Sequence, residues 1–254
     1  KPNVFEMEKD GGNSTALQAH LPVREQDTPV GHAVRMVYLL AGMADVADEE
    51  DDPSLLDACD RLFEALRQKK MYITGGIGST NHGEKFTTDY DLPNDLAYSE
   101  TCASIGLIFF LRRMLETAPD ALLGDAVERA LYNTVLSGMA LDGKSFFYVN
   151  PLEVLPEASS KDSRKRHIKT VRQKWFGCAC CPPNLARLIS SVGEYAFTEN
   201  ENIFFIHQYI GSAVKSENAD IEIISDYLDS GNVTIRLKPK KSFTLALRIP
   251  LWSK

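Results

Sequence analysis

Hydrophobic residues recur at helical spacing through the first two hundred positions of the chain. Apolar side chains three or four residues apart predict helices at 31–48, 53–70, 97–117, 121–140 and 182–198. Polar or glycine-rich stretches at 73–95 and 142–177 are longer than ordinary helix connections. We therefore expect functional loops in these two stretches.

Beyond residue 200 the pattern changes to short, alternating segments that are typical of strands. Strands are predicted at 203–210, 221–224, 233–237 and 243–248, with turn residues between them. The sequence thus predicts a mainly α chain with a β portion. Residues 1–200 would form a helical domain, and residues 201–254 would begin an antiparallel sheet domain of the sandwich type.

The two ends of the chain are unusual for a domain. It opens at Lys1 without a Met, and it closes a few residues after the predicted strand 243–248. We expect an internal segment of a longer protein, in which the sheet domain is truncated.

Composition places the chain among globular proteins and disfavours two kinds of partner. Its 254 residues are 44% hydrophobic and 25% charged, which suffices for a sizeable core. The net charge of -7 disfavours nucleic acid and anionic membrane surfaces, because both require a cationic face. No apolar run approaches the ~20 residues of a membrane helix. Whether the chain forms a homodimer stays open.

Three of the five cysteines stand together at Cys178, Cys180 and Cys181. An odd, clustered set does not suit a disulfide framework, so we expect a cytoplasmic protein with metal-binding or catalytic thiols. Pro182 and Pro183 predict an extended turn before a helix, whose positive N-terminal end favours thiolates. A vicinal disulfide and a purely structural zinc knot stay open as alternatives.

Glu100 and Cys102 are a second pair of residues that could bind a metal. Residues two apart on a regular helix point about 200° apart, so both could reach one ion only where the helix begins. Zinc accepts Cys and Glu ligands, and Glu100, Cys102, Cys180 and Cys181 would complete a tetrahedral set. Taken alone, the pair is equally compatible with packing at the start of an apolar helix.

Three further residues are candidates for chemistry or binding. Glu84 follows the glycine-rich loop 72–79 and is a candidate general acid, or else an exposed carboxylate. The loop lacks a Gly-Lys-Ser/Thr ending, so we expect close approach of its backbone to a small ligand other than a nucleotide. His32 could bind a ligand hydroxyl, cap a helix or pack. Tyr148 could line a site or belong to the core.

Five segments, taken together and in this order, resemble one enzyme family. They are TPVGHAVR at 28–35, YITGGIGS at 72–79, GEKF at 83–86, YSETC at 98–102 and CACCPPN at 178–184. The combination resembles glycoside hydrolase family 127, whose founding activity is β-L-arabinofuranosidase. The resemblance extends over essentially the whole chain, and it is far more specific than any single segment.

The resemblance implies an (α/α)6 barrel followed by β-sandwich modules, with residues 1–200 as the C-terminal part of the barrel. It also implies a zinc ion with one glutamate and three cysteine ligands, at Glu100, Cys102, Cys180 and Cys181. Cys180 would also be the nucleophile and Glu84 the acid/base. His32 and Tyr148 match sugar-binding positions, whereas Cys178 has no role in the pattern.

The implied reaction is retaining hydrolysis of an arabinofuranoside-containing oligosaccharide or glycan. Glu84, kept protonated near neutral pH by a partly apolar site, would protonate the glycosidic oxygen while Cys180 attacks the anomeric carbon. Glu84 would then activate water. Two alternatives stay open: a retaining hydrolase of another furanoside, and a noncatalytic carbohydrate-binding protein with a structural zinc.

Overall fold

The computed structural model describes residues 14–253, so the first thirteen residues of the predicted helical portion lie outside the described residues. Short 3-10 turns at Ser14–Leu17 and Val23–Glu25 precede the long helices. The helices are α1 (Ala33–Glu49), α2 (Pro53–Lys69), α3 (Thr101–Thr117), α4 (Ala121–Ala130), α5 (Pro156–Lys161) and α6 (Cys181–Ser190). Within this part of the chain, no helix combines the length and apolar character needed to cross a bilayer.

The five predicted helices are present, with differences at their ends. Helix α3 begins at Thr101 and not at 97, because the residues before it pair with another segment of the chain. Helix α4 continues as a π-helical turn at Leu131–Leu136. Helix α6 ends at Ser190 and is followed by a 3-10 turn at Val192–Tyr195, so the predicted helix 182–198 is too long. Helix α5 has no buried residue, and the hydrophobic pattern therefore gave no sign of it.

Helix α3 is the centre of the hydrophobic core and is buried along most of its length. Helices α1, α4 and α6 all pack against it. A Cβ at Gly106 would lie 2.6 Å from a methyl carbon of Val37, so glycine is required for the close approach of α1. Cys59 on α2 is fully buried in the same core, where it packs as a hydrophobic residue.

Six strands follow the helices and form two small sheets. The strands are β1 (Phe197–Glu199), β2 (Ile203–Ile206), β3 (Ser212–Lys215), β4 (Ala219–Ser225), β5 (Val233–Pro239) and β6 (Thr244–Leu247). The sheet orders are β1-β2-β6 and β3-β4-β5. Phe204 and Ile206 of one sheet share a core with Ile221 and Ile223 of the other, as a sandwich requires.

The sheets differ from the prediction in two respects. Strands β1 and β3 were not predicted, and β2 pairs with β6 in parallel, so the antiparallel prediction is wrong for this pair. The other pairs are antiparallel. Strand β1 already begins at Phe197, and the domain boundary near residue 200 stays a prediction. The (α/α)6 barrel also stays a prediction.

A buried ion cluster joins the strands to α4. Arg248, which follows β6, pairs with both Asp125 and Glu128 of α4, and its side chain is only 2% exposed. Its Nε donates to the carbonyl oxygen of His207 at 2.5 Å. Beside it, Gln208 Nε2 donates to the carbonyl oxygen of Gly124 at 2.8 Å. Two carboxylates buried against the strands thus depend on one guanidinium for their counter-charge.

We predict that Arg248→Met destabilises the fold strongly. The substitution leaves Asp125 and Glu128 buried without a counter-charge, and breaking such a pair costs about 3–5 kcal/mol. Denaturant unfolding of the full-length protein measures the loss. Arg236→Met is the matched control, because Arg236 pairs with Glu222 on an exposed surface, where the expected cost is below ~1 kcal/mol. Equal losses for the two variants would contradict the prediction.

Candidate active site

Two short segments pair along their backbones and bring His32 next to Glu84. The amide of Ala33 donates to the carbonyl oxygen of Glu84 at 2.9 Å, and the amide of Phe86 donates to that of Gly31 at 3.0 Å. Glu84 has a φ of 51°, in the left-handed region that side chains rarely adopt. The pairing holds this strained turn. As a result, His32 Nε2 lies 3.0 Å from Glu84 Oε2.

His32 caps α1 and contacts the carboxylate at the same time. Its Nδ1 accepts from the amide of Arg35 at 3.4 Å, so the neutral ring carries its proton on Nε2 and donates it to Glu84. The capping interpretation of His32 is therefore confirmed, whereas its binding to a ligand hydroxyl stays a prediction.

Glu84 also accepts a hydrogen bond from the hydroxyl of Tyr98, at 2.8 Å. The hydrogen bond from His32 is the main cause that lowers the pKa of Glu84. Burial opposes this effect, and the Tyr98 hydroxyl adds to it. The expectation that a partly apolar site keeps Glu84 protonated is wrong for this arrangement, because two donors stabilise its charged form.

A strand-like segment, residues 148–150, aligns the residues before α3. The amide of Thr101 donates to the carbonyl oxygen of Tyr148 at 3.0 Å, and the amide of Asn150 donates to that of Ser99 at 3.1 Å. Ser99 has a φ of 41° and is completely buried. This irregular start lets Glu100, the N-cap residue of α3, face the same way as Cys102, as the sequence required of a shared site.

One carboxylate and three thiols meet at the starts of α3 and α6. The ligand atoms of Glu100, Cys102, Cys180 and Cys181 all lie within 4.8 Å of one another. Cys180 Sγ is 3.4 Å from Glu100 Oε1, and Cys102 Sγ is 3.5 Å from Cys181 Sγ. The hydroxyl of Tyr148 lies 2.8 Å from Cys180 Sγ.

The double proline after these cysteines belongs to the helix. Helix α6 begins at Cys181, so Pro182 and Pro183 lie in its first turn, and the predicted extended backbone before the helix is wrong. The first turn tolerates proline because its backbone N–H groups have no partner within the helix. Cys180 and Cys181 are therefore at the positive end of the helix dipole, as predicted.

Burial and close contact shift the pKa values of the acidic groups in this cluster. Burial is the main cause that raises the pKa of Glu100 to about 9, and the nearby Cys180 adds to it. Hydrogen bonds from the neighbouring thiols lower the pKa of Cys102 to about 5, whereas the same contacts raise the pKa of Cys181. Among the described residues, Glu100 Oε2 is buried without a hydrogen-bond partner. Three sulfurs and one carboxylate oxygen suit a divalent metal ion such as zinc.

The two groups of side chains open into one pocket of about 550 Å³. Glu100 lies between them, since its carboxylate is within 4.8 Å of the thiols and also within 4.8 Å of the His32 and Glu84 ligand atoms. The exposed thiol of Cys178 lines the same pocket. The remaining lining residues are Val34, Tyr38, Tyr148, Pro183, Asn184 and Arg187.

The structure brings together every residue predicted for the site. These are His32, Glu84, Glu100, Cys102, Tyr148, Cys180 and Cys181. Their individual roles stay predictions. Tyr98 and Asn184 were not predicted for the site, although Tyr98 begins the segment 98–102 and Asn184 ends the segment 178–184.

The glycine-rich loop does not line this pocket. A Cβ at Gly75 would lie 2.6 Å from the backbone nitrogen of Ala130, and one at Gly76 would lie 1.9 Å from Ser99 Oγ. The close backbone approach predicted for the loop is therefore an approach to α4 and to the start of α3.

Thiols, carboxylates and a histidine thus line one pocket of the helical layer. Residues 3–194 match the family described as β-L-arabinofuranosidase, GH127 catalytic domain. The chain belongs to this family.

Individual relatives agree with the family assignment. The chain is 41% identical over 248 residues to a non-reducing end β-L-arabinofuranosidase of Bifidobacterium longum, covering 94% of this chain and 38% of the relative. It is 50% identical to the crystal structure of a GH127 β-L-arabinofuranosidase from Geobacillus stearothermophilus T6, with a TM-score of 0.90, covering 99% of this chain and 40% of that one. A second solved GH127 β-arabinofuranosidase is 40% identical, with a TM-score of 0.85, covering 98% of this chain and 38% of that one. The chain thus spans about two fifths of the length of these relatives.

We predict that Gly76→Ala disturbs the start of α3. The added Cβ would lie 1.9 Å from the hydroxyl of buried Ser99, and overpacking of this kind costs about 1–3 kcal/mol. Thermal unfolding measures the loss, and Ser99→Ala in the same background should restore much of it. Gly42→Ala is the control, since nothing lies within 4 Å of its Cβ and alanine favours a helix. A Gly76→Ala variant as stable as the control would refute the close contact.

Proposed function

We propose that the protein is a retaining glycoside hydrolase that releases β-L-arabinofuranose from an arabinofuranoside-containing glycan. One observation carries this proposal: Cys180 and Glu84 line the same pocket, with Glu100 between them. Double-displacement hydrolysis requires a nucleophile and an acid/base on opposite sides of one anomeric carbon. Family membership and the relatives' activity support the choice of sugar.

We propose zinc as the metal of the thiol cluster, held by Glu100, Cys102, Cys180 and Cys181. Two observations support it: three sulfurs converge there, and a buried oxygen of Glu100 has no hydrogen-bond partner within the described chain. When bound, zinc would stabilise the thiolate form of Cys180 at neutral pH. It would also relieve the repulsion among the four acidic groups.

In the first proposed step, the sulfur of Cys180 attacks the anomeric carbon and the bond to the leaving oxygen breaks. Glu84 gives its proton to that oxygen. The Tyr148 hydroxyl, 2.8 Å from the sulfur, orients the attacking atom. In the second step, Glu84 takes a proton from water, the water oxygen bonds to the anomeric carbon, and the carbon–sulfur bond breaks. Two inversions give net retention.

The hydrogen bonds on Glu84 determine how this proton is supplied. In the free site, donors from His32 and Tyr98 favour the carboxylate, which is the form needed as base in the second step. For the first step, the sugar must displace water from the pocket, because desolvation raises the pKa of a carboxyl. His32 lines the pocket and hydrogen-bonds Glu84, so a sugar that contacts it would couple binding to protonation.

We predict different defects for Cys180→Ser and Glu84→Gln in the full-length protein. Cys180→Ser should abolish turnover, because a hydroxyl is a far weaker nucleophile at neutral pH. With an activated aryl arabinofuranoside, Glu84→Gln should keep a fast first step, since that leaving group needs no proton. It should then accumulate a thioglycosyl form, measured by mass spectrometry as one added pentose on the peptide that contains Cys180. Glu153→Gln, an exposed carboxylate away from the pocket, is the control.

Three results would overturn parts of this proposal. Sugar found on Glu100, or a product of inverted configuration, would exclude Cys180 as the nucleophile. Comparable adducts from another furanoside, with none from the arabinoside, would move the specificity to that sugar. A lack of turnover and of adduct on any furanoside, with metal bound, would favour a carbohydrate-binding protein with a structural zinc.

We also predict a shift in the pH profile of Tyr98→Phe. The change removes one hydrogen bond that lowers the pKa of Glu84, so this pKa should rise. The first step needs protonated Glu84, and activity falls as pH rises through its pKa. The basic limb of kcat/KM should therefore move to higher pH, by about one unit for a hydrogen bond worth ~1.4 kcal/mol. Tyr90→Phe, at an exposed site, should not shift it. A basic limb that stays in place or moves lower would contradict the assignment of Glu84.

A further inference from the structure

Asn184 lies on the wall of the pocket, one helical turn after the cysteines of α6. It follows Cys180 by four residues, and its backbone N–H donates to the carbonyl oxygen of Cys180 at 3.3 Å. Residues four apart share a helix face, so the side chain of Asn184 projects on the same side as Cys180. Cys102, Cys180 and Asn184 all line the pocket.

The carbonyl oxygen of the Asn184 side chain is held by two donors. The hydroxyl of Tyr38 donates to Oδ1 at 3.0 Å, and Nη2 of Arg187 donates to it at 2.6 Å. These contacts identify which end of the amide is oxygen. The other end of the amide is then the nitrogen, which carries two N–H donors.

The two donors are themselves fixed by aromatic packing on α3. The guanidinium of Arg187 lies over the ring of Phe109, 4.5 Å from its centroid, and Nη2 also donates to the Tyr38 hydroxyl at 2.6 Å. Tyr38 meets the same ring edge-on, with centroids 6.1 Å apart. Helices α1, α3 and α6 each contribute one residue to this support, so the amide has little freedom to turn.

We propose that Asn184 is a positioning residue of the thiol cluster, and that its side-chain N–H donates to the sulfur of Cys102 while Arg187 and Tyr38 hold the amide in place. This inference rests on the proposed function, since it concerns the proposed zinc site. A sulfur that accepts a hydrogen bond from a fixed amide keeps one orientation, and groups that support metal ligands in this way commonly change affinity 10- to 100-fold. The side chain of Asn184 is a hydrogen-bond partner of the Cys102 thiol.

This arrangement would give the sulfurs of Cys102 and Cys180 different roles. Cys102 is buried, whereas Cys180 is half-buried and lines the pocket with Tyr148 beside it. A donor on Cys102 reduces the charge that this sulfur presents without touching Cys180. Asn184 would therefore keep Cys102 a ligand and leave Cys180 as the sulfur available to a sugar.

The test compares zinc affinity among variants of the full-length protein, by competition with a chromophoric chelator. Wild type should bind about one zinc per chain. Asn184→Ala and Asn184→Asp should bind it 10- to 100-fold more weakly, because neither offers an N–H to Cys102. Tyr38→Phe removes only one oxygen and should give a smaller loss in the same direction. Ser190→Ala, on the same helix and outside the pocket, should match wild type.

A second readout separates positioning from general damage. With cobalt in place of zinc, the thiolate-to-metal absorption should shift in Asn184→Ala and Tyr38→Phe, whereas the unfolding midpoint of the Tyr38→Phe variant without metal should stay near that of wild type. Wild-type affinity and an unchanged cobalt spectrum in Asn184→Ala would overturn the inference. A rise in KM alone, with zinc affinity unchanged, would overturn it too, and would make Asn184 a substrate contact. Failure of wild type to bind zinc would instead overturn the proposed metal site, and the inference with it.

Discussion

Four acidic side chains, Glu100, Cys102, Cys180 and Cys181, are crowded together and three of them are buried, and this crowding governs the rest of the site. Like charges at such separations repel strongly in a medium of low dielectric constant. The opposite pKa directions of Cys102 and Cys181 reflect this repulsion, because acidic groups so close together cannot all ionise. A bound cation resolves the conflict, and hydrogen-bond donors around the cluster moderate it.

This constraint explains why the backbone around the site is irregular. Regular helices cannot direct Glu100 and Cys102 to one point, so α3 starts abruptly after Ser99, whose φ is positive. Glu84 is held in a similarly rare conformation. Residues keep strained backbone conformations only where contacts with the surrounding structure hold them in place. Here the neighbours are the segment 148–150, the turn at His32 and the glycine-rich loop, which fits against Ser99 because Gly76 has no side chain.

Much of the helical layer was predictable, because apolar stripes at the spacing of α1, α2 and α3 arise from burial on a single core. The strands were less predictable from the sequence. Strand β1 is three residues long and was absorbed into a predicted helix, and the parallel pairing of β2 with β6 depends on tertiary packing that no local pattern records. The ligand set was proposed from ligand chemistry and strengthened by the resemblance, since spacing alone cannot show that Glu100 meets Cys180 80 residues later. The protonation of Glu84 was mispredicted because its two donors, His32 and Tyr98, become neighbours only in the fold.

The ion cluster of Arg248 also affects the order in which parts of the chain can pack during synthesis. Asp125 and Glu128 precede their guanidinium partner by 123 and 120 residues. A chain synthesised from its N-terminus exposes both carboxylates long before Arg248 has left the ribosome. During that interval, water must solvate them, and the side of α4 that faces the strands cannot close. The side of α4 that faces the strands therefore reaches its final packing only after β6 and Arg248 have been made.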